Sequence, residues 1–164
     1  MRKVLFLDID GVLNPKWWNG KKPSDRYGVL FETNAVANLE KIIAETGANI
    51  VISSSWKEMG LTTMQSMWKD RKLPGKVIDV TPNYMSDEIL LNADLDDTSL
   101  DHLYIRGYEI KGWLSIHGEE VCNYIIIDDM DDILPEQQNH FVYIDPEKGI
   151  TDFDAKKAIM LLKQ

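Results

Sequence analysis

Five short apolar runs, at residues 4–7, 49–52, 77–80, 124–127 and 141–144, recur along the chain and limit the folds open to it. Each is too short for a helix and suits a strand covered on both faces. Helical patterns separate them. Val36, Leu39 and Ile43 share one face, and Gly47 follows where a left-handed cap would end the helix. Met64, Met67, Trp68 and Arg71 suggest a second helix, and Ile110, Trp113, Leu114 and His117 a third. Ala155, Ala158, Ile159 and Leu162 form a fourth behind a capping pair, Thr151 and Asp154. Strands alternating with helices predict parallel βαβ units and a covered sheet, in which ligands bind beyond the carboxyl ends of the strands.

With 164 residues, 44% of them apolar, the chain is expected to form one domain spanning residues 1–164. Arg2 and Lys3 precede an apolar run that Asp8 and Asp10 cut short, so a signal peptide is not predicted. No stretch approaches the ~20 apolar residues of a membrane helix. Cys122, the single cysteine, lies in an apolar run and is expected to be a buried, inert thiol. These features predict a cytoplasmic protein without a membrane partner. The net charge of −9 argues against diffuse binding along a nucleic-acid duplex.

The chemistry should then sit at the strand ends. The first strand runs into Asp8-Ile9-Asp10-Gly11, and alternation along an extended backbone would bring Asp8 and Asp10 to one side. Two such carboxylates repel unless a cation lies between them, and Mg²⁺ suits oxygen ligands. Gly11 would permit a tight turn. The second strand ends in Ser53-Ser54-Ser55, whose hydroxyls and N–H groups could hold phosphate oxygens or simply cap a helix. The fourth ends in Asp128-Asp129-Met130-Asp131-Asp132, and Arg106 stands before the helix containing Trp113. Each of these alone is compatible with an ordinary turn or surface group. In chain order, all at strand ends or a helix start, they point to phosphate chemistry. His102, His117 and His140 have no ligand spacing and read as structural or surface residues.

The combination resembles the haloacid dehalogenase (HAD) superfamily of phosphohydrolases. VLFLDIDGVLN matches its first motif, NIVISSS its second, Arg106 its third and YIIIDDMDD its fourth. The strings DIDGVLNP, IVISSSWK, Thr81-Pro82, RGYEIKGWL and GITDFDAKKAI are similar to the HAD domain of Swiss Army Knife RNA-repair proteins. The resemblance implies a three-layer Rossmann-like α/β fold, with a mostly parallel five-stranded sheet, helices on both faces and a minimal cap. It implies that Asp8 is the nucleophile forming an aspartyl-phosphate and that Asp10 is the general acid and then base. Mg²⁺ would be held by Asp8, the Asp10 carbonyl and Asp129, with Asp128 in support or in the reverse order. Ser53, Ser54, Arg106 and the backbone around Gly11 would bind phosphate, Lys57 being the alternative to Arg106. Val12 stands where many relatives carry Thr, and Asn14 belongs to the site only loosely.

Two segments break the βα rhythm: a flap at about residues 15–31 and an acidic insertion at about 83–104, neither long enough for a closed cap domain. An open site favours a large phosphorylated substrate, an RNA or DNA end with a 3′-phosphate, or else a nucleotide. Trp17 and Trp18 sit in the flap beside Lys16, Lys21, Lys22 and Arg26, where rings could stack on bases or pack the flap down. The acidity is concentrated in residues 79–101, whereas residues 14–26 and 57–76 each carry a net +3, so the mouth is expected to be locally basic. The alternatives are a small-molecule phosphatase with the 83–104 insertion as a lid, and a non-catalytic phosphate-binding module.

Overall fold

The computed structural model describes residues 1–16, 22–83 and 104–164. Strands β1 (Arg2–Leu7), β4 (Asn49–Ile52), β5 (Val77–Val80), β6 (Val121–Asp128) and β7 (Phe141–Tyr143) form one parallel sheet in the order β5-β4-β1-β6-β7. All five apolar runs are therefore strands. Helices α1 (Thr33–Thr46), α2 (Leu61–Asp70), α3 (Ile105–His117) and α4 (Asp152–Lys163) connect or follow them.

Alternation along β1 sorts the core into two layers. Leu5 and Leu7 pack with Leu39, Ile42, Met64, Met67, Ala155 and Leu162 of α1, α2 and α4, whereas Val4 and Phe6 pack with Ile110 and Trp113 of α3. Helices therefore cover both faces, giving the three-layer α/β arrangement. The predicted caps are present: Gly47 ends α1 at φ 65°, and Thr151 and Asp154 bond reciprocally at the start of α4. The buried face of α1 differs from the expected one, being Ala35, Leu39 and Ile42.

The flap contains a feature that hydrophobic patterning misses, a hairpin of β2 (Ser24–Asp25) and β3 (Gly28–Val29). Two residues per strand are too few to show alternation. Arg71 clasps it to the end of α2, donating to both Asp25 carboxylate oxygens (2.9 and 2.7 Å) and to the carbonyls of Gly28 and Val29. Trp17, Trp18 and Lys21, and all of the acidic insertion between Asn83 and Tyr104, lie outside the described residues. Cys122 is exposed rather than buried, because β6 begins at Val121, before the run that enters the core. No helix among the described residues is long and apolar enough to cross a membrane.

Candidate active site

Parallel register lines up the functional residues. Leu7 pairs with Ile52 on one side and Ile127 on the other, so Asp8, Ser53 and Asp128 come next in three adjacent strands. The row is held by Asp8 N–H donating to Ile127 (3.0 Å) and Ser53 N–H donating to Leu7 (2.9 Å). β1 lies at the point where the connections change direction, which is where such sheets bind ligands.

Beyond Leu7 the chain turns at once: Val12, Leu13 and Asn14 all donate N–H to the Ile9 carbonyl. Gly11 has φ 79°, and a Cβ there would lie 2.7 Å from Asp129 Cγ, so this position needs glycine both for the turn and for the close approach of Asp129. Because the strand stops at Leu7, the expected alternation does not extend through Ile9. Asp8 is buried and faces Asp128 and Asp129, whereas Asp10 is exposed and accepts hydrogen bonds from Trp56 Nε1 (3.1 Å) and Asn14 Nδ2 (3.3 Å).

Asp8, Asp128 and Asp129 each offer an oxygen within 4.8 Å of the others, and the Asp10 carboxylate is not in this group. Their formal charge of −3 is met by Arg106, whose Nε lies 3.3 Å from Asp128 Oδ2 and whose Nη2 lies 3.9 Å from Asp8 Oδ1. Even so, Asp128 Oδ2 is buried without a hydrogen-bond partner among the described residues. An all-oxygen set with surplus negative charge and an unsatisfied buried oxygen fits a hard divalent cation. Both Asp128 and Asp129 can therefore contribute a ligand.

Burial pushes the Asp8 carboxyl up to about 6, with Arg106 pulling it down and Asp129 adding to the rise. Burial, followed by the nearby Asp8 charge, pushes Asp128 up to about 8. A folded protein that holds protons the unfolded chain has released loses stability as pH rises, here from about 4 towards 8. A divalent cation must displace those protons, so its binding tightens over the upper part of that range. The rise in melting temperature on saturation with Mg²⁺ is thus expected to be small near about pH 5.5 and largest near about pH 8. Calorimetry across this range checks it, and a flat or shrinking Mg²⁺ effect would contradict it.

Arg106 and Lys57 part company in the fold. The Arg106 guanidinium also donates to the Ser53 carbonyl, which ties it to the strand-end row. Lys57 is buried beside it but pairs with Glu109 (2.7 Å) and donates to Thr81 Oγ1 and the Pro82 carbonyl; burial pulls its amine down. Ser53 Oγ is buried and has no hydrogen-bond partner among the described residues, while Ser54 Oγ accepts from Trp56 N–H (3.4 Å) and caps a short 3₁₀ turn.

The start of α3 is not the open phosphate site that its position suggests. The Asp132 carboxylate accepts from the N–H groups of Ile105 (3.0 Å) and Arg106 (3.4 Å), and its carbonyl accepts from Gly107. A Cβ on Gly107 would lie 2.6 Å from the Leu134 nitrogen, so only glycine lets the helix dock this closely on that loop. The last acid of the fourth motif thus fixes the backbone of Arg106, a role invisible without the long-range contact. Part of the basic character predicted for the mouth is also neutralised. Arg26 pairs with Asp70, Arg71 with Asp25 and Lys57 with Glu109, while Lys76 borders the opposite, amino-terminal end of β5.

No curated protein is a significant match to the chain. Residues 4–155 match the family described as the HAD domain in Swiss Army Knife RNA repair proteins. That span takes in the whole strand-end row and α3, and with it the chain belongs to this family of HAD domains, whose chemistry is broadly of the phosphatase type.

Proposed function

We propose that the protein is a Mg²⁺-dependent phosphomonoesterase working through an aspartyl-phosphate on Asp8, and that its substrate is a phosphorylated nucleic-acid end, a 3′-phosphate above all, or a nucleotide. The observation that carries the reading is the buried Ser53 Oγ, without a hydrogen-bond partner among the described residues, in the same row as the Asp8 carboxylate, with the Arg106 guanidinium bound to the Ser53 carbonyl. A phosphoryl group in front of Asp8 would give that hydroxyl an acceptor and Arg106 an anion.

A Mg²⁺ ion held by Asp8, Asp128 and Asp129 would neutralise charge on the phosphoryl oxygens. The protein's own groups do the rest. An Asp8 oxygen attacks phosphorus, the ester P–O bond breaks, and Asp10 gives its proton to the departing oxygen. Water then attacks the phosphorus of the aspartyl-phosphate, Asp10 takes its proton, and Asp8 and phosphate are released. Arg106 and Ser53 stabilise the equatorial oxygens in both steps.

The membership in a family from RNA-repair proteins supports a nucleic-acid end as substrate, and so does the sequence length of the two insertions, each too short for a closed cap domain. With Mg²⁺ present, phosphate release from 3′-phosphorylated oligonucleotides is expected to exceed release from 5′-phosphorylated ones, nucleoside monophosphates and sugar phosphates. Preference for sugar phosphates would overturn the nucleic-acid assignment. No turnover on any of these esters would overturn the phosphatase reading.

A further inference from the structure

Asp10 is exposed and lies beyond the end of β1, yet both of its carboxylate oxygens are held. Trp56 Nε1–H donates to Oδ2 at 3.1 Å and Asn14 Nδ2 donates to Oδ1 at 3.3 Å. The Asn14 carbonyl oxygen accepts from Lys22 Nζ at 2.8 Å, and Lys22 also donates to the Pro15 carbonyl at 2.9 Å. An ammonium only donates, so it fixes which end of the Asn14 amide faces it and turns the NH₂ towards Asp10.

The indole is itself immobilised. Its ring meets Phe31 edge-on, with centroids 5.5 Å apart, and the Arg71 guanidinium lies 5.9 Å from its centre. A Cβ on Gly28 would sit 3.4 Å from Trp56 Cη2, so the hairpin closes directly over the ring. A chain of contacts therefore runs from the Arg71 clasp through the hairpin and Trp56 to Asp10.

We propose that Trp56 is a positioning residue: its indole N–H, backed by Asn14 and Lys22, aims the Asp10 carboxyl at the oxygen that leaves phosphorus. This rests on the phosphatase reading above. When Asp8 bonds to phosphorus and the ester bond breaks, the proton on Asp10 must already point at the departing oxygen, and a misplacement of about 1 Å costs on the order of 10²-fold. Trp56 acts only through Asp10, so its loss matters in proportion to the leaving group's need for a proton. An alkoxide, such as a ribose oxygen, needs one; a nitrophenolate hardly does.

Trp56→Phe keeps an aromatic ring against Phe31 and removes the N–H. It is expected to lower kcat/KM for a 3′-phosphorylated oligonucleotide about 10- to 100-fold, while 4-nitrophenyl phosphate stays within about threefold of wild type. Equal losses on both esters, or no loss on either, would overturn the role. The contact has its own test in the metal-free protein, where the Trp56 indole N–H resonance is assigned by its disappearance in Trp56→Phe. Asp10→Ala should shift that resonance and leave those of Trp68 and Trp113, whose indoles bond Pro74 and Asp79, in place. An unmoved resonance overturns the positioning role alone, whereas wild-type protein inactive on both esters overturns the phosphatase reading and this role with it.

Discussion

Asp8→Asn is expected to lower kcat/KM for any phosphomonoester by about 10⁴-fold or more, and to raise the melting temperature of the metal-free protein at alkaline pH. The first effect follows from the amide's inability to form the phosphoryl-enzyme. The second follows from where Asp8 sits. It is 5% exposed, within reach of two other acids, and its carboxyl is pushed up to about 6. Above that pH the folded chain carries a buried charge that the unfolded chain carries in water, and Asn removes the penalty. Near about pH 4 the wild-type group is protonated in the fold, and the two proteins should melt alike. A variant that is inactive and also less stable at about pH 8 would show that Asp8 serves the fold, contrary to the electrostatics described here. Retained turnover would remove Asp8 as nucleophile.

Arg106→Ala should cost about 10² to 10³-fold in kcat/KM, as expected for losing a fixed cation from the transferring phosphoryl group. The side chain cannot be replaced by a point charge, because one guanidinium faces three partners at once: the Ser53 carbonyl, Asp8 and Asp128. Arg106→Lys is therefore expected to recover only part of the loss and to stay at least about 10-fold below wild type. Steady-state kinetics of the three proteins at saturating Mg²⁺ checks this order. Lysine performing as well as arginine would mean that charge alone, without the fork, is what the site requires.

The strands could be read from the sequence because the three central ones, β4, β1 and β6, are buried on both faces in their carboxyl-terminal halves and so appear as apolar runs, and the edge strands β5 and β7 keep enough apolar, β-branched or aromatic residues to follow the same pattern. The candidate site residues were sought from them, since a covered parallel sheet leaves only the strand ends open. What could not be read were contacts between distant segments. Trp56 and Asp10 are 46 positions apart, as are Arg71 and Asp25, and no local pattern announces either bond. Arg106 is preferred to Lys57 in the sequence only by its place before a helix, and the contacts that part them, Glu109 with Lys57 and the strand-end row with Arg106, join distant segments. Likewise, Asp132 reads as one more acid in a cluster until its carboxylate is found at the start of α3. Asp8 and Asp10 were expected to converge, and the turn at Ile9 separates their carboxylates instead, Asp8 lying with Asp128 and Asp129 and Asp10 with Trp56 and Asn14.

The strand-end row makes the site a property of the whole sheet rather than of any segment. β1 supplies Asp8, β4 supplies Ser53 and β6 supplies Asp128, each fixed by its neighbour's register. A slip of one position between β1 and β6 would turn Asp128 to the opposite face and break the row, however intact each strand remained. Under the proposed reaction, phosphate release would report correct strand pairing across the centre of the molecule, a built-in readout of folding fidelity.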